Sequence, residues 1–66
     1  MPRQIRQLVS DLLKAGFAPL PGGKGSHRKF RHTRLAGAVI LSGADGDDAR
    51  HYQEKQVRQA IQEASQ

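Results

Sequence analysis

One histidine lies among four cationic side chains in the segment from Lys24 to Arg31, directly after a pair of glycines. The imidazole of His27 can exchange a proton near neutral pH, and clustered lysine and arginine side chains attract and orient phosphate groups. A positioned acid or base beside phosphate-binding cations suits chemistry on a nucleic-acid backbone. We therefore take His27 as the candidate catalytic residue, with a solvated and inactive surface histidine as the alternative.

The same segment contains the candidate substrate-binding residues. Its cations would neutralise a phosphate and the charge that develops on the phosphate oxygens during reaction. Gly25 has no side chain, so its backbone N–H could approach a phosphate closely. The full candidate set is Lys24, Gly25, Ser26, Arg28, Lys29 and Arg31.

Alternation along a strand predicts which of these side chains share a face. Phe30 is the apolar residue of the segment, so we expect it to point inward beneath a layer of helices. The side chains of His27, Lys29 and Arg31 then share the open face. Arg28 falls on the covered side, so its guanidinium must reach out from the sheet edge on its aliphatic stem, unless a nearby bulge shifts the register.

An amphipathic helix precedes this strand. Apolar side chains recur at positions i, i+3, i+4, i+7 and i+8 between about Pro2 and Ala15, which places them on one stripe. The stripe consists of Ile5, Leu8, Val9, Leu12 and Leu13. We expect all five in the core, rather than on a membrane surface or a partner. Gly16 can adopt the left-handed conformation that ends a helix, with Phe17 folding back toward Leu12.

Three strands are predicted after this helix. The first two, residues 17–20 and 26–32, form a hairpin because the adjacent glycines at 22 and 23 permit the positive φ angles of a tight turn. A phosphate-cradling loop is the alternative for these glycines, but the Walker-A spacing and a directly following helix are both missing. The third strand, residues 38–41, is continuously apolar, which fits a strand covered on at least one face.

A second helix, from about Gln53 to Glu63, completes the order. Its narrow apolar stripe consists of Val57, Ala60, Ile61 and Ala64. Tyr52, just before this helix, is expected to anchor the core or its rim rather than to act as an acid. His32 lies on the opposite side of a regular strand from His27, and the sequence does not place His51. We expect both histidines to be structural or solvated, rather than a second catalytic imidazole.

The polar loop from Ser42 to Asp48 contains three aspartates. Carboxylates invite a calcium or magnesium site, but the spacing lacks the later bidentate glutamate of an EF-hand loop. The sequence also contains no zinc motif, no cysteine cluster and no Gly-x-Ser-x-Gly motif. We expect a solvated loop, no metal site and no cofactor.

Length and composition limit the class of protein. The 66 residues suffice for one domain, residues 1–66, with a thin core. Because there is no cysteine, disulfides cannot supplement that core, and a reducing compartment is compatible with the sequence. The longest apolar run, Ala38 to Leu41, is much too short for a membrane span or the core of a signal peptide. We expect a cytoplasmic protein with no membrane partner.

Charge is distributed unevenly along the chain. The net charge is +5, but residues 1–34 hold eight lysine or arginine residues against one acid, whereas residues 35–66 hold three against five acids. The first half therefore carries +7 and the second half −2. A basic half this concentrated favours a polyanion or an acidic protein as partner.

The tripeptide Gly25-Ser26-His27, followed by basic residues and an aromatic and preceded by an amphipathic helix, resembles the HicA family of bacterial mRNA interferase toxins. The resemblance covers nearly the whole chain. It implies an α+β fold like that of double-stranded-RNA-binding domains, in the order α-β-β-β-α, with two helices on one face of a three-stranded antiparallel sheet. It also implies His27 as the catalytic residue, mRNA as substrate and a HicB-type antitoxin as partner. The loop from Ser42 to Asp48 departs from the Pro/His-containing segment that many members carry there.

The function that follows is a metal-independent endoribonuclease, the toxin of a toxin–antitoxin pair. His27 would help the 2′-hydroxyl of the RNA attack the adjacent phosphate, as base or as acid. One rival is a non-catalytic RNA-binding module of the same fold, which reads RNA by shape and phosphate contacts. A second rival is a small protein whose basic patch docks an acidic partner. RNA retention without cleavage would favour the first rival, and binding to protein alone would favour the second.

Overall fold

The computed structural model describes residues 3–21 and 27–65, and it confirms the predicted element order. The elements are α1 (Ile5–Lys14), β1 (Ala18–Pro19), β2 (Arg28–Arg31), β3 (Val39–Leu41) and α2 (His51–Ala64). The strands form an antiparallel sheet in the order β1-β2-β3. The two helices cover one face of this sheet, so the other face stays open to solvent. No helix in the two described ranges is long and apolar enough to cross a membrane.

Helix α1 ends as its sequence predicts. Gly16 has a φ angle of +95°, the left-handed region that glycine adopts without strain. Its N–H donates to the carbonyl of Leu13 at 3.1 Å, and the N–H of Phe17 donates to the carbonyl of Leu12 at 3.0 Å. This pair of bonds is the Schellman motif. It turns the chain so that Phe17 is buried beside Leu12 in the core.

The apolar stripe of α1 is only partly in the core. Ile5, Leu8 and Leu12 are buried and Val9 packs against them, but Leu13 is 49% exposed. The prediction that Leu13 lies in the core is therefore wrong. With 100° per residue, the five stripe positions span about 140° of the helix circumference. The core covers the side of that arc that holds Leu8, Leu12 and Ile5, and Leu13 lies at the opposite end.

The inner face of the sheet completes the core. Phe30 is 1% exposed and pairs in register with the buried Val39, while Leu41 pairs with Arg28. These side chains meet the buried stripes of both helices in one cluster. Phe30 is among the largest fully buried side chains in the described part of the chain, so the core depends strongly on this strand.

Helix α2 begins two residues before its predicted start, and Gln53 rather than Tyr52 points into the core. Val57, Ala60 and Ala64 are buried as predicted, but Tyr52 is 59% exposed. Tyr52 was expected to anchor the core or its rim, and this exposure excludes it from the core. Gln53 is the buried residue of this turn, at 3% exposure. Its Oε1 accepts from the backbone N–H of Arg50 at 2.8 Å, and its Nε2 donates to the carbonyl of Ser42 at 2.9 Å. Because neighbouring residues on a helix differ by 100°, the inward Gln53 leaves Tyr52 outside.

Candidate functional site

Strand β2 positions the candidate catalytic residue and its cations. His27 directly precedes the strand and is exposed, and Lys29 and Arg31 are exposed within it. Phe30, between these two cations, is buried on the opposite face. The predicted alternation therefore holds, and the basic side chains lie on the face that the helices leave open. The other three candidates, at positions 24–26, lie outside the described residues.

Aliphatic side chains flank the cations on the open face. Lys29 pairs with Ile40 of β3, and its carbonyl accepts from the N–H of Leu20 at 2.8 Å. Leu20 is 38% exposed and Ile40 is 48% exposed. Residues directly opposite each other in an antiparallel sheet share a face, so Leu20, Lys29 and Ile40 form one cross-strand row. The open face thus combines cationic groups with apolar surface.

Residues 38–41 form a continuous apolar run in the sequence, so Ile40 was not predicted on the open face. The signal was nevertheless present. A strand exposes alternate residues, so burial of Val39 and Leu41 against the helices puts Ile40 on the outer face. In the described ranges, 3–21 and 27–65, both helices pack on the opposite face, so neither of them covers Ile40.

The side chain of Arg28 extends from the covered side of the sheet and forms an ion pair at its end. Its register with Leu41 is that of a regular strand pair, so the chain needs no bulge at this position. The guanidinium Nη2 donates to Oδ1 of Asp45, in the loop between β3 and α2. The Arg28 side chain is 35% exposed and that of Asp45 is 61% exposed. The expectation that Arg28 extends to the sheet edge is thus met, and a carboxylate receives it there.

The loop that carries Asp45 is attached to the start of α1. The carbonyl of Asp47 accepts from the N–H of Ile5 at 2.9 Å, and the carbonyl of Asp45 accepts from the N–H of Arg6 at 3.1 Å. The N–H of Ala49 donates to the carbonyl of Arg3 at 2.6 Å. The first two bonds give partners to backbone N–H groups that the first turn of a helix leaves free, and the third ties the loop to the residue before the N-cap. The aspartate side chains of this loop are exposed, as predicted, but its backbone is bonded to the start of α1. We call residues 42–49 the clamp loop.

Two of the three aspartate side chains in this loop have partners within the protein. The side chain of Asp47 accepts from the N–H of Ala44 at 3.0 Å, and that of Asp45 is paired with Arg28. Among residues 3–21 and 27–65, no group of three or more histidine, cysteine or acidic side chains is arranged to hold a metal ion. The carboxylate of Asp47 therefore bonds within the loop, and that of Asp45 bonds to the basic strand.

Comparison with known protein families gives one match. A model described as the HicA toxin of bacterial toxin–antitoxin systems matches residues 5–64. The chain belongs to the HicA toxin family. The match runs from the first residue of α1 to the last residue of α2, so it includes every helix and strand described above. It confirms the resemblance that Gly25, Ser26 and His27 suggested. No curated protein and no solved structure gives a significant match to the chain.

The remaining histidines of this HicA chain do not join His27 through any contact of the described residues. The ring of His32 packs against Phe17 with the centroids 5.0 Å apart and the planes tilted by 58°. Its Nδ1 accepts from the backbone N–H of Arg34 at 3.0 Å. His32 therefore has the structural role that its position in the strand predicts. His51 is exposed at the first residue of α2, beside an open polar depression next to the clamp loop.

Proposed function

We propose that this HicA-family toxin is a metal-independent endoribonuclease that cleaves mRNA, with His27 in proton transfer. The observation that carries the proposal is the position of His27, exposed directly before two outward cations on the uncovered face of the sheet. A general acid or base must be accessible to the proton it transfers, and cations beside it must reach the same phosphate. This open face offers both to a polymer too large to enter a cavity.

The proposed reaction uses a nucleophile that RNA itself supplies. The 2′-hydroxyl attacks the adjacent phosphorus, an O2′–P bond forms, and the bond from phosphorus to the 5′ oxygen breaks. His27 takes the proton from the 2′-hydroxyl or gives one to the departing 5′ oxygen. The products are a 2′,3′-cyclic phosphate and a 5′-hydroxyl end, so atoms and protons balance without a metal-bound water.

Cations stabilise the charge that develops in this step. Lys29 and Arg31 lie two and four residues after His27, on the same side of an extended chain in which alternate residues are about 7 Å apart. They would hold phosphate oxygens near the imidazole, with Lys24 as a further proposed contact. Leu20 and Ile40, on either side of Lys29, give the bases of an unpaired strand an apolar surface.

Membership in the HicA family places the chain in a toxin–antitoxin pair. We propose that its partner is a HicB-type antitoxin, and that this antitoxin covers the open face of the sheet. The first half of the chain carries a net charge of +7, which suits an acidic surface on that partner. With mRNA as substrate, the toxin would act in the cytoplasm.

The test is cleavage of a defined single-stranded RNA by the purified protein in the presence of a chelator, with DNA of the same sequence as control. We expect cleavage of the RNA, cyclic phosphate ends and no cleavage of the DNA. Binding of the RNA without cleavage would support the non-catalytic RNA-binding module instead. Cleavage of the DNA, or activity that the chelator abolishes, would contradict the proposed reaction because neither is compatible with a 2′-hydroxyl nucleophile alone.

A further inference from the structure

The ion pair between Arg28 and Asp45 connects the basic strand to the clamp loop. Arg28 directly follows His27, yet its guanidinium is paired with a carboxylate of the protein rather than directed to the open face with Lys29 and Arg31. Guanidinium groups bind carboxylates and phosphates through the same planar arrangement of N–H donors. The Asp45 carboxylate thus occupies an anion site on the residue that follows the candidate catalytic residue in the chain.

The backbone of Asp45 is fixed to α1, whereas its side chain is exposed and paired with Arg28. Its carbonyl accepts from the N–H of Arg6, and the neighbouring Asp47 is bonded to Ile5, so the loop is fixed to α1. The Asp45 side chain itself is 61% exposed. Rotation of that side chain alone would release the guanidinium, without any change in the helices or the sheet.

The exposure of the pair makes it easy to exchange. Solvent and salt screen an exposed ion pair, so its net contribution is small. A phosphate of a bound RNA is not an isolated competitor, because its neighbours are held at the same time by the other cations of the strand. RNA binding also releases condensed counterions, which adds a favourable term that a single carboxylate lacks. A phosphate in a polymer is therefore able to displace Asp45.

We propose that Asp45 is an internal substitute for an RNA phosphate, which holds the anion site of Arg28 until the backbone of the substrate displaces it. This proposal rests on the proposed RNA-cleaving function and adds a site to it. The phosphate that Arg28 binds takes the place of the Asp45 carboxylate, at the end of β2 that follows His27 in the chain. Asp45 lowers the affinity of the free toxin for RNA, and Arg28 contacts substrate only after the exchange.

Binding of a non-cleavable probe by the full chain tests this exchange. The probe is a short single-stranded RNA with 2′-O-methyl groups, which lacks the nucleophile and so leaves binding separate from reaction. We expect Asp45→Asn to tighten binding by about two- to fivefold, the range set by the loss of one exposed ion pair. The matched control is Asp48→Asn, which removes the same charge from the same loop at an exposed residue that forms no ion pair with Arg28.

The control separates exchange from the general effect of charge. If the exchange occurs, Asp45→Asn tightens probe binding more than Asp48→Asn does. This difference in affinity disappears when both substitutions are made in an Arg28→Gln background. Equal effects of the two substitutions would overturn the proposal. Weaker binding by Asp45→Asn would also overturn it, because Asp45 would then assist Arg28 rather than compete for it.

A measurement on the unaltered protein does not depend on the variants folding. Nuclear magnetic resonance of the side chains should show two changes as the probe is added. The chemical shifts of the Arg28 guanidinium and of the Asp45 carboxylate should change together. A saturated complex in which Asp45 does not move would refute the exchange while leaving RNA binding intact. By contrast, failure of the unaltered protein both to bind the probe and to cleave RNA would refute the proposed function itself.

Discussion

Replacement of His27 by alanine is the most direct test of the proposed chemistry. His27 is exposed and lies just outside β2, so its side chain contributes little to the core. Exposed substitutions away from caps and cores change the free energy of unfolding by about 0.5 kcal/mol or less. The thermal unfolding curve of His27→Ala should therefore superimpose closely on that of the parent protein.

The effect on the rate should be large by comparison. Removal of a general acid or base lowers the rate about 10²- to 10⁴-fold, which corresponds to roughly 3–5 kcal/mol of activation free energy. Because Lys29 and Arg31 remain on the open face, the variant should still bind RNA. We expect kcat to fall while KM stays within a few-fold of its original value, the pattern for a group that acts in the transition state.

The assay is cleavage of a fluorogenic RNA under single-turnover conditions in chelator, with both proteins purified by the same procedure. His51→Ala is the matched control, since His51 is also an exposed histidine, at the start of α2. We expect its rate to be unchanged. A His27→Ala protein that cleaves at the original rate would refute the assignment of His27. An equal loss in His51→Ala would instead show that His27 does not act as the only imidazole.

Three further substitutions test the fold and the open face. Phe30→Ala should abolish the cooperative unfolding transition in circular dichroism. Truncating a buried phenylalanine costs about 3–5 kcal/mol, and a core of this size supplies about as much stability. A transition retained near the original temperature would contradict the central place of Phe30 in the core. Gly16→Ala should lower the free energy of unfolding by about 1 kcal/mol in a denaturant titration. The φ angle of Gly16 is +95°, and a Cβ there would lie 3.2 Å from Nε2 of His32. An unchanged free energy of unfolding would show that the helix end tolerates a side chain. Replacing Lys29 and Arg31 together by glutamate should weaken both RNA binding and antitoxin binding in salt-dependent titrations, and an antitoxin affinity that does not change would place the partner on another surface.

Local sequence patterns were sufficient for the elements that position the site. The period of the α1 stripe, the left-handed Gly16 and the inward Phe30 each depend on neighbouring residues alone, so they could be predicted. The exposed position of His27 followed from the same alternation, and its tripeptide correctly indicated the HicA family. Its catalytic role stays a prediction, as do the roles of the residues at 24–26.

The features that escaped prediction depend on residues far apart in sequence. The partner of Arg28 is Asp45, in a loop that no pattern connects to β2. Leu13 and Tyr52 both belong to helices with correct periods, but their exposure depends on how far the opposing layer extends, which a single helix does not encode. Gln53 was missed because burial of a polar side chain depends on its acceptor and donor, here the backbone of Ser42 and Arg50.

The attachment of the clamp loop to α1 has a consequence for how the toxin forms during synthesis. The first turn of α1 is completed by carbonyl groups of Asp45 and Asp47, which follow β3 in the chain. A nascent polypeptide that ends before this loop can form parts of the helix and the β1–β2 hairpin, but it lacks the backbone bonds that complete the first turn of α1 and the carboxylate that pairs with Arg28. Such non-local contacts delay folding until most of the chain is available. The surface around Arg28 therefore reaches its final form only after residues 45–49 have been synthesised and can bond to α1 and to β2.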